Sequence, residues 1–207
     1  SVQGGMGDLI LDGCKFYTFL DMKPSIYHQL ADTAYVHTDT LAIVDNWGRQ
    51  ISYQDLLRYV DQFAAFLYFS TYIRPGSHVG VLMYADLEFV VAIYAVAKLG
   101  AVAVPLPTKY RKPEVINLIR KSYLSLLIVD EEFRAWEDEI PLASDKIIYT
   151  SSSPIHYGFS AYTSSSEGSV ASQVSLSDPL LIIFTSGTTS RAKGVMLKNY
   201  NVIHAIE

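Results

Sequence analysis

The chain has 207 residues, 50% of them apolar and 18% charged, with a formal charge of −5; this is a folded composition long enough for one or two domains, not a disordered segment. The acidic balance offers no clustered basic face for nucleic acid, and the longest apolar run, residues 89–97, falls well short of the ~20 residues of a membrane span. Cys14 is the only cysteine, so no internal disulfide or cysteine-built metal site is available. The start lacks a basic, uninterrupted apolar leader, and the chain is expected in the cytoplasm.

Residues 1–5, ahead of Met6, read as an artificial extension and are set aside. Leu41, Ala42, Ile43 and Val44 predict a strand, turned by Asp45, Asn46, Trp47 and Gly48. A helix follows, because Tyr53, Leu56, Leu57, Val60, Phe63, Ala64 and Leu67 recur at helical spacing. Ser52 with Asp55 three residues on resembles a capping box in which Asp replaces Glu. Arg74-Pro75-Gly76 ends that unit. Residues 79–83 read as a buried parallel strand. Asp86 is the expected cap of a helix through residues 89–99, apolar nearly all round and so expected to be sandwiched. Gly100 stops it ahead of a short strand over 101–104, which Pro105 and Pro107 close. Pro113 and Glu114 open another helix. Residues 126–129 are a strand, 131–139 a short acidic helix and 146–149 an edge or transition strand. Residues 151–177 are rich in serine and glycine without a sustained period, and read as loop. The alternation of strand and helix predicts an α/β fold, a mostly parallel sheet with flanking helices.

The apolar run Leu180-Leu181-Ile182-Ile183-Phe184 then leads into Thr185-Ser186-Gly187-Thr188-Thr189-Ser190-Arg191-Ala192-Lys193-Gly194-Val195. A strand entering a loop of hydroxyls and glycines with one lysine offers backbone N–H groups, side-chain donors and a compact cation. That set suits a polyphosphate. A Ser/Thr/Gly run is often only a solvated loop; the lysine and the leading strand argue against that here. The spacing from Gly187 to Lys193 also fits a Walker A loop, but Ala192 replaces its second glycine and Gly194 its magnesium-binding hydroxyl. Val195-Met196-Leu197 continues as an apolar, strand-like turn, with helix signals only from about Asn199.

The segment FTSGTTSRAKGV closely resembles the signature YTSGTTGxPKGV of the AMP-forming adenylating enzymes: acyl-CoA synthetases, luciferases and nonribosomal peptide adenylation domains. Ser190 and Ala192 stand where that signature has glycine and proline, which loosens the loop. Three further blocks extend the resemblance over most of the chain. They are Ile51 to Leu56, Glu88 to Ala92, and Ala97 to Ala101 followed by Val104-Pro105-Leu106-Pro107. The last is closer to the acyl-CoA synthetase style than to the peptide synthetase one.

The resemblance implies an ATP-dependent ligase that joins a carboxylic acid to AMP and passes the acyl group to CoA or a carrier-protein thiol. Thr185, Ser186, Thr188 and Thr189 would give hydroxyls to the β- and γ-phosphates, Gly187 close backbone approach, and Lys193 a positive charge. Mg2+ would accompany ATP, its remaining ligands lying outside this chain. No residue here is expected to be catalytic. The whole of 1–207 is expected to be the N-terminal part of the adenylating domain, without the acyl pocket or the C-terminal domain, and inactive alone. Alternatives are a peptide synthetase adenylation domain, a fatty-acyl-AMP ligase, or a non-catalytic nucleotide- or partner-binding module. His28, His37, His78, His156 and His204 lack metal-ligand spacing, and the acidic residues Asp130-Glu131-Glu132 and Glu137-Asp138-Glu139 read as a solvated helix face.

Overall fold

A computed structural model describes residues 23–150, 169–185 and 193–206. The chain opens with α1 (Ile26–Val36), then the antiparallel pair β1 (Leu41–Val44) and β2 (Gln50–Ser52), then α2 (Tyr53–Phe69). A second sheet is built from β3 (His78–Leu82), β4 (Val102–Pro105), β5 (Leu126–Asp130), β6 (Ile147–Thr150), β7 (Pro179–Thr185) and β8 (Lys193–Lys198). Helices α3 (Leu87–Lys98), α4 (Lys112–Ser122) and α5 (Asn199–Ile206) complete the set. The strand order is β6-β5-β3-β4-β7-β8, parallel throughout except for the antiparallel pair β7 and β8.

Strand alternation divides the core between the two faces of this sheet. Val79, Val81, Ala103, Leu126, Ile128 and Ile148 pack with residues of α1, α2 and α3. Leu82, Val104, Leu127, Val129 and Ile147 pack with Val115, Ile116, Leu118 and Ile119 of α4. Helices therefore cover both faces, and the parallel strands read as unbroken apolar runs for that reason. Gly80 sits in the central strand between Val104 and Leu127. A Cβ there would lie 2.4 Å from Leu124 Cδ1 and 2.9 Å from Leu127 Cδ1, so the close layer packing demands glycine.

Helix starts follow the sequence with two differences. At α2, Ser52 Oγ accepts the Asp55 N–H at 3.1 Å. The shorter Asp55 carboxylate takes the Ser52 hydroxyl rather than the Ser52 backbone N–H, so only half of the box forms. At α3, Asp86 occupies the N-cap position but its side chain caps nothing. Asn46, in the turn of the first hairpin, donates to the Asp86 carboxylate at 2.9 Å instead. The helix is enclosed as expected, with none of its residues exposed. At α4, Pro113 lies in the first turn and the Arg111 N–H donates to Glu114 Oε2 at 2.8 Å.

The acidic stretch Glu131–Glu139 is a 3₁₀ helix. Phe133 is its buried anchor, stacking with Tyr84 and meeting Trp136 edge-on. Asp130 does not belong to a solvated face. It accepts the Tyr84 N–H at 2.7 Å and the Thr150 hydroxyl at 2.6 Å, which joins the ends of β5 and β6 to the residues after β3. Of the serine-rich stretch, residues 169–177 are described and carry no helix or strand.

Candidate functional site

Strands β7 and β8 form a hairpin whose mouth is the pair Thr185↔Lys193. Two residues far apart in the signature thus become direct cross-strand neighbours, both exposed. The reason is local. Ile182, Ile183 and Phe184 are apolar and prone to strand, Val195, Met196 and Leu197 likewise, and the polar residues between them must turn. Thr185 Oγ1 lies 3.5 Å from the Lys193 carbonyl, at the outer limit of a hydrogen bond. Its hydroxyl and the Lys193 ammonium leave the hairpin on one face, because paired residues share a side. Ser186, Gly187, Thr188 and Thr189, with Ser190 and Ala192, lie outside the described residues.

The hairpin decides between the two phosphate-loop readings. In a Walker A loop the lysine stands at the start of a helix, whose N-terminal N–H groups meet the phosphates. Here Lys193 opens a strand, and α5 begins only at Asn199. Any backbone donors would come from the loop, with the Lys193 charge at its exit.

Sequence reasoning missed a second feature. A crevice of about 310 Å³ opens at the carboxyl ends of β3, β5 and β6, where α/β sheets commonly bind ligands. Trp47, Tyr84, Asp86, Glu88, Asp130 and Thr150 are among its lining. Its one guanidinium, Arg49, grips Glu88 through two bonds of 2.6 and 2.7 Å and also pairs with Asp45. Those bonds to Glu88, against the opposing effect of burial, hold the Arg49 pKa above its ordinary value. Burial pushes the Asp130 carboxyl up, and the Thr150 and Tyr84 hydrogen bonds offset part of that rise. The carboxyl groups of Asp86, Glu88, Asp130 and Glu132 line it against the single engaged guanidinium, an acidic balance. Asp130 at the end of β5 and Asp86 at the start of α3 were the acidic signals that could have revealed it.

Among the described residues no group of three or more His, Cys, Asp or Glu could hold a metal ion. The hairpin mouth contributes one hydroxyl, which alone does not make a magnesium site. Nor is any helix of the described residues long and apolar enough to cross a membrane.

Comparison with known proteins places the chain in a family. The family model described as AMP-binding enzyme matches residues 30–207. The chain is 31% identical over 186 residues to a crotonobetaine/carnitine–CoA ligase of Salmonella paratyphi B, covering 83% of this chain and 36% of that protein. It is 23% identical over 184 residues to a hybrid PKS-NRPS synthetase of a Fusarium species, covering 89% of this chain and 4% of the relative. Among solved structures, the inhibitor-bound N-terminal domain of FACL13 from Mycobacterium tuberculosis superposes with a TM-score of 0.75 at 26% identity. That alignment covers 87% of this chain and 46% of the other. The chain therefore spans about a third of the length of the ligase it matches. A mostly parallel α/β sheet, a hairpin that pairs Thr185 with Lys193, and a family match over most of the sequence converge, and the chain belongs to the AMP-binding enzyme family.

Proposed function

We propose that the protein carrying this chain is an adenylate-forming acid–thiol ligase of the acyl-CoA synthetase type. The observation that carries the reading is the Thr185↔Lys193 pair at the mouth of the signature hairpin. It puts a hydroxyl and an ammonium side by side where a triphosphate would enter. In the first half-reaction a carboxylate oxygen attacks the α-phosphorus of ATP, and the bond to the β-phosphate oxygen breaks to release pyrophosphate. In the second, a thiolate attacks the acyl carbon and AMP leaves. Both steps bring anions together, so the chain's contribution is orientation and charge neutralisation. Thr185, Ser186, Thr188 and Thr189 would hold the β- and γ-phosphates by their hydroxyls, Gly187 would allow close backbone approach, and Lys193 would offset charge on the departing pyrophosphate.

Magnesium would accompany ATP and neutralise phosphate charge. Among the described residues no cluster forms its site. CoA is the acceptor we favour, since the Salmonella relative is named a CoA ligase. The match to a hybrid PKS-NRPS synthetase supports a carrier-protein thiol as the second reading. We further read residues 1–207 as the N-terminal part of the adenylating domain, with the acyl pocket and the C-terminal domain outside it. On that reading the chain alone forms no adenylate.

The test is acid-dependent exchange of pyrophosphate into ATP by the natural protein, over a panel of carboxylic acids. Lys193→Ala should lower kcat/KM for ATP by about a hundredfold, the usual loss for one transition-state charge donor. An unchanged value overturns the reading.

A further inference from the structure

The signature lysine is followed by Gly194, and this glycine meets its neighbours in a particular way. Gly194 lies directly opposite Phe184 in the hairpin. A Cβ on it would stand 3.1 Å from Ile182 Cγ2 and 3.3 Å from Phe184 Cε1. The Phe184 ring and the Ile182 branch therefore press against the bare backbone of β8, the outermost strand among the described residues. An aromatic ring laid across an edge glycine covers the gap left by the missing side chain and favours that one pairing. Register matters because side chains alternate: a slip of one residue would turn every side chain of β8 to the other face. Lys193 would then leave the face it shares with Thr185.

We propose that Gly194, with Phe184 and Ile182 packed on it, is a positioning residue that fixes the register delivering Lys193 to the phosphates. This rests on the phosphate-binding reading of the hairpin. It assigns a mechanical task to residues that never touch the nucleotide, on the sheet face opposite the Lys193 side chain. Phe184 and Ile182 also belong to the apolar cluster packed on α4, so the register is anchored in the core rather than in the loop.

The experiment compares MgATP and AMP binding to the natural protein by isothermal titration calorimetry. AMP lacks the β- and γ-phosphates and reports whether the rest of the site is intact. Lys193→Ala should weaken MgATP about tenfold, as for one lost charge-assisted contact, and leave AMP unchanged. Gly194→Ala should show the same selective loss, about fivefold to tenfold. Adding Ile182→Leu, which removes the Cγ2 branch, should bring MgATP affinity back to within about twofold of wild type. If Gly194→Ala does not fold, Phe184→Leu takes the ring off the glycine without adding an atom near it, and should give the same selective loss. A Lys193→Ala protein with unchanged MgATP affinity overturns the phosphate-binding reading itself. A Lys193 effect with no Gly194 or Phe184 effect leaves that reading standing and overturns the positioning role. Equal loss of MgATP and AMP in Gly194→Ala, without recovery by Ile182→Leu, is general damage and also overturns it.

Discussion

Gly80→Ala adds one methyl group to the middle of the central strand. The new carbon would stand 2.4 Å from Leu124 Cδ1 and 2.9 Å from Leu127 Cδ1. Carbon atoms rest at about 3.5–4.0 Å, so Leu124 must yield by more than about 1 Å and Leu127 by about 0.6 Å or more. Leu124 is half-buried and can swing, whereas Leu127 is fully enclosed. Overpacking of this kind destabilises by about 1–3 kcal/mol, and replacing glycine offsets about 0.4–1 kcal/mol through the unfolded chain. The expected net loss is about 1–2 kcal/mol, or a fall in Tm of about 2–8 °C for a chain of this size. Urea denaturation gives the free energy, and a cycle with Leu124→Ala locates its origin. If the clash is the cause, the double variant should be more stable than the sum of the single losses, by about 1 kcal/mol. A neutral or stabilising Gly80→Ala, or strict additivity with Leu124→Ala, would refute the packing argument.

Three further outcomes can be measured on the same chain. The folded Asp130 carboxyl is held above its ordinary pKa, first by burial. Its contribution to stability is therefore complete below the ordinary carboxylate range and is lost as pH rises through the folded value; Asp130→Asn should flatten that part of the stability–pH curve, and an identical curve would contradict it. Lys98 is buried, donates to Asp61 at 2.9 Å, and stands 4.9 Å from the Tyr27 ring centre. Asp61→Ala should cost about 2 kcal/mol by urea denaturation, below the usual buried-pair value because Asp61 is itself half-exposed, and a loss no larger than that of Tyr27→Phe would count against it. Ser52→Ala removes the bond that caps α2 and should lower stability by about 1 kcal/mol, with no change in the denaturant slope.

The strands and helices were legible because each carries its own period. Residues 53–67 repeat at helical spacing, and residues 79–83 and 126–129 are unbroken apolar runs of strand length. Those patterns arise within a few turns of chain, where propensity and burial act together. Strand character after the lysine was partly readable, from Val195-Met196-Leu197, but that the strand already begins at Lys193 was not. Misplaced details were those in which a polar side chain chose a distant partner. Asp86 has the residue type and position of a helix cap, yet Asn46 captures its carboxylate from 40 residues away. Asp130 opens an acidic run, yet Thr150 and the Tyr84 backbone tie it, half-buried, into the wall of the crevice.

The sequence by itself determined an α/β chain, its element order, and a polar loop with one lysine leaving an apolar strand. Only the tertiary structure decided that β7 joins the sheet beside β4, that Thr185 and Lys193 face each other, and that the crevice at the other strand ends is acidic. Periodicity reports which side of an element is buried. Which strand it then pairs with, and in what register, depends on contacts between residues far apart in sequence, and no local pattern encodes those.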